Sequence, residues 1–346
     1  MATIHLCSAL PSPNDDASVP DYAHDDLHRL RRYARLDRVG THTLTDTPAA
    51  ADLILFVERA HAPGPYMEAN RRHPYAHDYP DKTFVVNGRY YGVPFLPGVY
   101  GCVRTADVWF PDRVRSGTYM EVCDFDHLSY DANVSDRPYL FSFVGAIETW
   151  PQARRPLLDL SDHPRGLIRD TSAQRHRLET EVGTFNVETY HQQYVDLCHD
   201  TKFVLCPRGD AVSSMRLFEA LRLGRAPVII SDHWLAPAGP DWDAFSVRVD
   251  QGEIGTLPAR LEALEPEAEA MGHRARAAWD DWFAADVIFH RTVEWCLDMK
   301  ARRRLPESVS RRLSGVSMLN AFHLRRYAGE KTRSLRRAVG LSRSSS

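Results

Sequence analysis

The sequence predicts an α/β protein built from two doubly wound, Rossmann-like domains. Between residues 139 and 249, short apolar runs rich in β-branched residues alternate with helix-length segments. In the first half, the apolar run at 52–57 is a clear strand within a more irregular α/β pattern. The length of 346 residues is enough for two domains, each with its own core. Because alternating strands and helices form parallel sheets, we expect ligands at the carboxyl ends of the strands.

The clearest element is the segment 202–232, KFVLCPRGDAVSSMRLFEALRLGRAPVIISD. Its pattern predicts a strand, a glycine-containing turn, a helix, a short loop and a second strand. Ser213 or Ser214 can cap the helix, and Gly224 follows its last residues. The two strands of such a β-α-β unit are parallel, so the loop after the first strand should face the ligand crevice.

Polar residues in this segment stand where a phosphate and a ribose could be bound. The predicted phosphate-binding set is Arg208, Gly209, Ser213, Ser214 and Arg216, which supplies cations and backbone N–H groups. Glu219 lies three residues after Arg216 on the same helical face, where a carboxylate could accept two ribose hydroxyls. Two alternatives stay open: the arginines could be solvated on a surface helix, and Arg216 and Glu219 could form an ion pair within it.

Two further strand ends contribute candidates on the same side of the predicted sheet. Gly145 ends the first strand of the second domain, and Arg154 or Arg155 opens the following helix toward a phosphate; Arg155 is taken as the binding residue. Ser231 and Asp232 follow another strand, so the crevice rule places them near the ligand. A strand-ending turn with a solvated arginine, and an Asp232 that caps the next turn, are the alternatives.

Several motifs occur in an order that resembles the exostosin-type glycosyltransferases of family 47. In the segment 202–232 they are Cys-Pro-x-Gly, Ser-x-Arg-x-x-Glu-Ala and Gly-x-x-Pro-Val-Ile-Ile-Ser-Asp. The others are YPDK at 79–82, PFLPGVY at 94–100, FVG at 143–145, DW at 241–242, FSV at 245–247 and EI at 253–254. The resemblance covers residues 50–298, and it departs at Arg225, where a small residue or cysteine is expected.

The resemblance implies the GT-B architecture, in which two Rossmann-like domains face a cleft, here with a C-terminal helical extension. It also implies transfer of a sugar from a nucleotide-sugar donor, UDP-linked, to a hydroxyl of a glycan, a lipid-linked oligosaccharide or a small molecule, with inversion of the anomeric centre. In this architecture cations and helix N-termini neutralise the departing diphosphate, so no metal or other cofactor is expected. The DxD motifs at 124–126 and 241–243 are discounted because neither follows a strong apolar strand.

The predicted domain boundaries follow from these assignments. Residues 1–135 form the acceptor-side domain, and residues 136–275 form the nucleotide-sugar domain. A single long helix over 274–299 is predicted, of which 276–299 returns toward the N-terminal domain. Residues 300–346 form a basic tail.

The catalytic residues are predicted to come from both domains. Arg216 would stabilise the leaving group, and a base for the acceptor hydroxyl should lie in the first domain. Glu58 directly follows the apolar strand and is the first candidate, with His73 and Asp78 behind it. Because the chain has 16 histidines, a histidine in this region is more often a surface or core residue than a base.

Composition and charge add constraints on location and partners. No apolar run approaches the roughly 18 residues that span a bilayer, and the first residues lack a signal-peptide pattern. Because eukaryotic members of the resembled family are typically anchored in the secretory pathway, the resemblance then implies a cytoplasmic bacterial enzyme. The six cysteines show no paired spacing, which favours thiols over disulfides or zinc. From Lys300 onward, 13 basic residues face 2 acidic ones.

This basic tail favours peripheral contact with an anionic inner-membrane surface. A helix packed on the acidic body of the same chain, or a disordered end, is the alternative. Nucleic acid is not expected because aromatic residues are sparse in the tail. A rival function is a non-catalytic nucleotide-binding or scaffold protein whose tail docks on membrane or nucleic acid.

Overall fold

The fold is an α/β architecture with two compact units. The computed structural model describes residues 1–16, 19–59, 67–88, 93–132, 137–180 and 186–319, with the helical residues 324–325, 328–329 and 332. Unit 1 comprises Met1–His28, Thr41–Arg115 and Val293–Ser346, and unit 2 comprises Arg29–Gly40 and Ser116–Thr292. Residues 29–40 and 116–135, which the sequence assigns to the first domain, therefore cluster with unit 2.

Two parallel sheets organise the chain. The strands are β1 Ala2–Cys7, β2 His42–Leu44, β3 Leu53–Glu58, β4 Thr83–Asn87, β5 Gly98–Tyr100, β6 Val114–Ser116, β7 Tyr139–Gly145, β8 Gly166–Asp170, β9 Thr201–Pro207, β10 Ala226–Ile230 and β11 Val247–Val249. The helices of the described residues are α1 Asp25–Leu36, α2 Glu68–Arg72, α3 Pro74–Asp78, α4 Pro151–Arg154, α5 Ser172–Thr180, α6 Val187–His199, α7 Met215–Arg222, α8 Leu257–Leu264, α9 Ala268–Trp282, α10 Ile288–Ala301 and α11 Glu307–Leu313.

Both sheets have a strand order that reverses once, next to the first strand of the sheet. The first sheet runs β2-β1-β3-β4-β5-β6, and the second runs β11-β10-β9-β7-β8. In each, the chain passes to one neighbour and then returns to the other side of its first strand, so the order reverses beside β1 and beside β7. The pairings of β1 with β3 and of β7 with β9 are parallel. The predicted fold class, α/β with two doubly wound parallel sheets, is confirmed.

The strands form because their apolar side chains are covered on both faces. Every residue of β3, β4 and β10 is buried, as expected for central strands of a parallel sheet. In the second sheet, Phe141, Phe143 and Phe203 are buried in the core. Each such side chain contributes about 1.5–3 kcal/mol relative to an exposed one.

The β9-α7-β10 unit has the structure that the sequence predicts. Gly224 ends α7 with a φ of 65°, a conformation that L-residues rarely adopt. Gly272 on α9 faces this turn, and a Cβ atom there would lie 2.5 Å from the carbonyl oxygen of Gly224. Helix α9 therefore packs against α7 at backbone distance.

The prediction of a single long helix over 274–299 is wrong. Helix α9 ends at Trp282 and α10 begins at Ile288. The N–H groups of Phe283 and Ala284 both donate to the carbonyl oxygen of Trp279, each at 2.9 Å, which closes α9. Phe283 is buried against Phe218, with ring centroids 5.2 Å apart, so core packing turns the chain where the apolar periodicity alone continues.

Three smaller features complete the description of the fold. Between β5 and β6, Thr105–Asp107 forms a 3-10 turn. None of the six cysteines, all of which lie among the described residues, forms a disulfide. Among the described residues, no helix is long and apolar enough to cross a membrane.

Candidate functional site

The candidate site lies at the carboxyl end of the second sheet, where β7 and β9 end side by side. Gly145 is the last residue of β7, and Pro207 is the last residue of β9. This is the point at which the strand order reverses, and in open parallel sheets the loops beside such a point form the ligand crevice. The two loops that follow β7 and β9 therefore define the site.

Arg154 joins these two loops. Its Nη1 donates to the carbonyl oxygen of Ala146 at 2.7 Å, and its Nε donates to that of Arg208 at 3.0 Å. The side chain is buried. A Cβ atom on Gly209 would lie 3.2 Å from Nη2 of Arg154, so this close approach suits glycine. Arg154 thus fixes the loop that carries Arg208 and Gly209 against the end of β7.

Arg208 and Arg216 bring two more guanidinium groups to the same loops. Arg208 is buried and stacks over the Trp150 ring, with its Cζ 4.3 Å from the centroid. Arg216, in the first turn of α7, donates from Nε to the carbonyl oxygen of Val144 at 3.2 Å. Its Cζ lies 3.9 Å from the centroid of Tyr194. Both arginines are therefore held by rings and carbonyl oxygens at the switch between β7 and β9.

Arg216 also forms an ion pair with Glu219. The Glu219 side chain is 3% exposed, whereas that of Arg216 is 23% exposed. Burial lowers the pKa of Arg216, but the Glu219 carboxylate and the Tyr194 hydroxyl more than offset it, so the pKa stands well above its ordinary value. The intrahelical ion pair that the sequence left open is present, and it keeps a buried carboxylate compensated.

The electrostatics of the loops favour an anion. Burial lowers the pKa of Arg154 to about 10, and the positive charges of Arg216 and Arg175 add to this lowering. Arg175 donates from Nη1 to the Thr149 hydroxyl at 2.6 Å, on the loop after β7. Repulsion among guanidinium groups in a partly desolvated place is unfavourable unless an anion offsets it. The Asp210 charge acts in the opposite direction on Arg154. The cluster therefore offers several cations to an anionic ligand.

The structure places Arg155 differently from Arg154. The Arg155 side chain is 65% exposed and lies 3.7 Å from the equally exposed carboxylate of Glu148. Helix α4 ends at Arg154, and the chain continues as a 3-10 helix from Arg155. Arg154 is therefore the residue that contacts both loops, whereas Arg155 is exposed.

The two serines before α7 do not cap it as predicted. Ser214 occupies the N-cap position, but its side chain makes no capping hydrogen bond. The Ser213 hydroxyl is buried and has no hydrogen-bond partner among the described residues. A buried hydroxyl of this kind ordinarily finds a partner.

The residues after β10 are tied into the fold. Ser231 Oγ donates to the carbonyl oxygen of Val212 at 2.8 Å, which holds the loop before α7. The Asp232 carboxylate accepts from the backbone N–H of Gln251 at 2.7 Å and from its side-chain amide at 2.8 Å. Asp232 therefore bonds the turn after β11, a partner distant in sequence that was not predicted.

A stack of three rings lies beside Glu219 and was missed by sequence reasoning. The rings of His127 and His191 stack with centroids 4.0 Å apart and an interplanar angle of 18°. Phe125 stacks on His127 at 5.4 Å. Burial lowers the pKa of both histidines; in each the Glu219 charge raises it and the Arg216 charge lowers it. Single histidines in a histidine-rich chain carry no pattern that predicts such a stack.

Glu58 lies in unit 1 at the end of β3, beside β1. Its carboxylate accepts from Ser8 Oγ at 2.9 Å, from the Ala9 backbone N–H at 2.8 Å and from Asn70 Nδ2 at 2.7 Å. Burial raises the pKa of Glu58, and these three hydrogen bonds act in the opposite direction. The carboxylate is thus fixed where the strand order of the first sheet reverses.

The other base candidates are placed less favourably. His73 Nδ1 accepts the backbone N–H of Tyr75 at 3.2 Å and so caps α3. Burial lowers the pKa of His73. Asp78 is exposed at the end of α3. Neither has the converging hydrogen-bond donors that hold Glu58.

The aspartates of the two DxD motifs have different surroundings. The Asp124 carboxylate accepts from Arg29 Nε at 3.0 Å and from the Tyr33 hydroxyl at 2.6 Å, and it also pairs with Arg32. The Asp243 side chain is exposed. Asp124 is therefore engaged with α1.

Comparison with known proteins identifies the domain. Residues 105–264 match the family model described as the Exostosin GT47 domain. This part of the chain, a little under half of its length, is therefore similar to the exostosin GT47 domain. The match includes the arginine cluster, α7 and Asp232, while YPDK, PFLPGVY and Glu58 lie outside it. The resemblance to exostosin-type glycosyltransferases is confirmed.

Two sequence relatives and one solved structure are similar to parts of this chain. An Arabidopsis thaliana protein named "Probable glycosyltransferase" is 30% identical over 168 residues, which is 47% of this chain and 31% of that protein. Exostosin-1b of Danio rerio is 25% identical over 140 residues, 39% of this chain and 19% of that protein. The chain thus spans less than a third of the length of either relative. The crystal structure of TarM matches 53% of this chain and 39% of its own, with a TM-score of 0.34 at 13% identity.

Proposed function

We propose that this protein transfers a sugar from a nucleotide-sugar donor, UDP-linked, to a hydroxyl of a glycan, lipid-linked oligosaccharide or small-molecule acceptor. The observation that carries the proposal is the guanidinium cluster at the β7–β9 switch, in which the charges of Arg216 and Arg175 help to lower the pKa of the buried Arg154. A diphosphate bound there would relieve this repulsion. The exostosin GT47 domain supports sugar transfer as the chemistry.

The donor would be held by α7 and the loop before it. Arg208 and Arg216 would bind the diphosphate, with the Ser213 hydroxyl and the N-terminus of α7 as further hydrogen-bond donors. Binding of a phosphate by Arg216 would weaken its ion pair with Glu219. The freed carboxylate could then accept the ribose hydroxyls, which couples diphosphate binding to ribose binding.

The transfer step needs a base and a stabilised leaving group. Glu58 would take the proton of the acceptor hydroxyl, whose oxygen then bonds to the anomeric carbon from the face opposite the diphosphate. The bond between that carbon and the diphosphate oxygen breaks, and the diphosphate keeps the electron pair. Because the acceptor oxygen attacks from the opposite face, the reaction inverts the anomeric centre. The cations around the diphosphate stabilise its charge, so the reaction needs no metal. Burial raises the pKa of Glu58, which strengthens it as a base.

Nucleotide binding tests the proposal first. We expect UDP to raise the melting temperature of the full-length chain, because a ligand present at 1,000 times its dissociation constant stabilises by about 4 kcal/mol. GDP, ADP and inorganic phosphate at the same concentration are the comparison ligands. Hydrolysis of UDP-sugars in the absence of acceptor then distinguishes an enzyme from a non-catalytic nucleotide-binding protein. A chain that no nucleotide stabilises would contradict the proposal.

A further inference from the structure

Helix α11 is oriented with its polar side toward the protein and its apolar side toward solvent. Glu307 is completely buried, and Ser314, which follows the helix, is buried as well. Val309 and Leu313, one turn apart, are each 45% exposed, and Leu305 just before the helix is also exposed. A surface helix ordinarily buries its apolar stripe and exposes its polar face. The reversed orientation leaves an apolar surface in need of an occupant.

Buried polar contacts in unit 1 fix this orientation. The Glu307 carboxylate pairs with Arg113, whose Nη2 also donates to the carbonyl oxygen of Phe95 at 3.2 Å. Ser314 Oγ donates to the same oxygen at 3.1 Å. Asp81 accepts from the Glu307 backbone N–H at 2.9 Å. Rotation of α11 about its axis to bury Leu313 would break these hydrogen bonds and leave the buried Arg113 without its carboxylate partner. The apolar face therefore stays outward.

Positive charge surrounds the apolar face. Arg304 and Arg312 are exposed, whereas Glu307, an acidic residue of the same segment, is buried and paired. From Lys300 to the last residue the chain has 13 basic and 2 acidic residues. An apolar surface bordered by arginines is complementary to a lipid surface that offers phosphates above acyl chains.

We propose that α11 docks on an anionic membrane through an outer face formed by Leu305, Val309 and Leu313, with Arg304 and Arg312 on the lipid phosphates. The buried polar face of α11 would connect this membrane contact to the rest of unit 1. The contact would hold the protein at the surface without a spanning helix, and it does not depend on the proposed sugar transfer. Charge complementarity favours a lipid surface over a second copy of the chain, because two copies would bring the same arginines together.

Vesicle binding by the full-length chain tests the proposal. Sedimentation with phosphatidylcholine vesicles containing phosphatidylglycerol should capture the protein, and vesicles of pure phosphatidylcholine should not. The variant L305Q/V309Q/L313Q should lose at least about tenfold in partition coefficient, because its apolar contact is removed. The control variant L36Q/V39Q/L158Q removes three exposed apolar side chains elsewhere and should bind as the parent does.

Further measurements separate this proposal from other occupants. The melting temperature of L305Q/V309Q/L313Q should equal that of the parent, because all three side chains are exposed. Equal vesicle binding by this variant and the parent would overturn the proposal, as would failure of the parent to sediment at low salt. A parent dimer that the variant converts to a monomer, with no vesicle binding, would assign the face to self-association instead. Retention on single-stranded DNA without vesicle binding would assign the arginines to nucleic acid.

Discussion

Several buried charges in unit 2 are stable only because of their partners. The negative charge of Glu219 is balanced by Arg216, one turn earlier in α7, and Arg154 donates to two carbonyl oxygens. Removing one member of a buried pair costs more than the pair contributes, since the remaining charge is left desolvated. Substitutions at this site will therefore change stability as well as binding.

Arg216→Ala and Glu219→Ala should each abolish most transfer activity. Glu219→Ala should chiefly weaken UDP affinity, whereas Arg216→Ala should also lower turnover because leaving-group stabilisation is lost. Arg216→Ala should in addition destabilise the chain by up to about 3–5 kcal/mol, because Glu219 stays buried without its partner. Calorimetric titration with UDP and urea unfolding measure the two effects.

The double variant R216A/E219A and the exposed Arg155→Ala serve as controls. The double variant should be more stable than Arg216→Ala alone, because no uncompensated carboxylate remains. Arg155→Ala should bind UDP as the parent does, since its side chain lies outside the loops. Parent-like UDP affinity in both single variants would rule out this site.

The stacked pair His127–His191 should make stability depend on pH. Burial holds both pKa values below 6.5 in the folded state, so the unfolded chain binds protons more readily as the pH falls. Stability from this pair is complete above the ordinary histidine pKa and is lost as the pH falls through the folded pKa values. Urea unfolding from neutral pH to about two units lower should show a decline in the free energy of unfolding. The variant His191→Phe should reduce this decline.

His191→Phe keeps a ring in the stack and removes the titration. The exposed His273 offers a matched control, and His273→Gln should leave the pH dependence unchanged. An identical decline in His191→Phe and the parent would show that other groups cause it.

Helix α11 and the segment before it belong to the body of unit 1. Lys300 Nζ donates to the carbonyl oxygen of Asp52 at 2.9 Å, and Arg303 Nη1 donates to Asp81 Oδ1 at 3.1 Å. Together with the buried pair of Arg113 and Glu307, these bonds show that residues 300–314 are packed on the chain itself. The packed-helix alternative for the start of the basic tail is therefore present, while most residues after 319 lie outside the described residues.

Truncation after Met299 should destabilise unit 1. It removes Glu307 from Arg113, which is buried, and we expect a loss of about 3–5 kcal/mol. Truncation after Val316 keeps these bonds and should leave stability unchanged. Thermal unfolding of both forms measures the difference, and equal melting temperatures would mean that α11 contributes nothing to unit 1.

The contact between α9 and the end of α7 is a second feature that substitution can test. Gly272→Ala would place a Cβ atom against the Gly224 carbonyl oxygen, a backbone atom that cannot move without shifting α7 or β10. We expect a loss of about 1–3 kcal/mol in unfolding free energy. Gly255→Ala, at a position with open space around the added atom, is the control and should change stability little. Equal losses at both positions would argue against tight packing here.

At the scale of the whole molecule, we predict that the proposed chemistry requires no metal. Arg208, Arg216 and Arg154 provide fixed positive charge, and Asp124 of the first DxD motif is engaged with Arg29 and Arg32. EDTA should therefore leave transfer activity largely intact. Complete loss with EDTA and recovery with Mn²⁺ would assign a metal-binding role to one of the DxD motifs.

The sequence by itself determined the fold class and the core of the unit-2 site. The β9-α7-β10 unit follows from local apolar runs, and Arg208, Arg216 and Glu219 lie on it, so their proximity is set by a few turns of chain. Gly224 was identified for the same reason, because a glycine after a helix is a local signal.

Only the tertiary structure decided the features that depend on distant segments. It selected Arg154 over Arg155, because Arg154 donates to carbonyl oxygens in the loops after β7 and β9, whereas Arg155 is exposed. It stacked His127 on His191, and it turned the polar side of α11 inward through a pair that joins residues 113 and 307. These arrangements arise from packing between elements far apart in sequence, which periodicity within one element cannot specify.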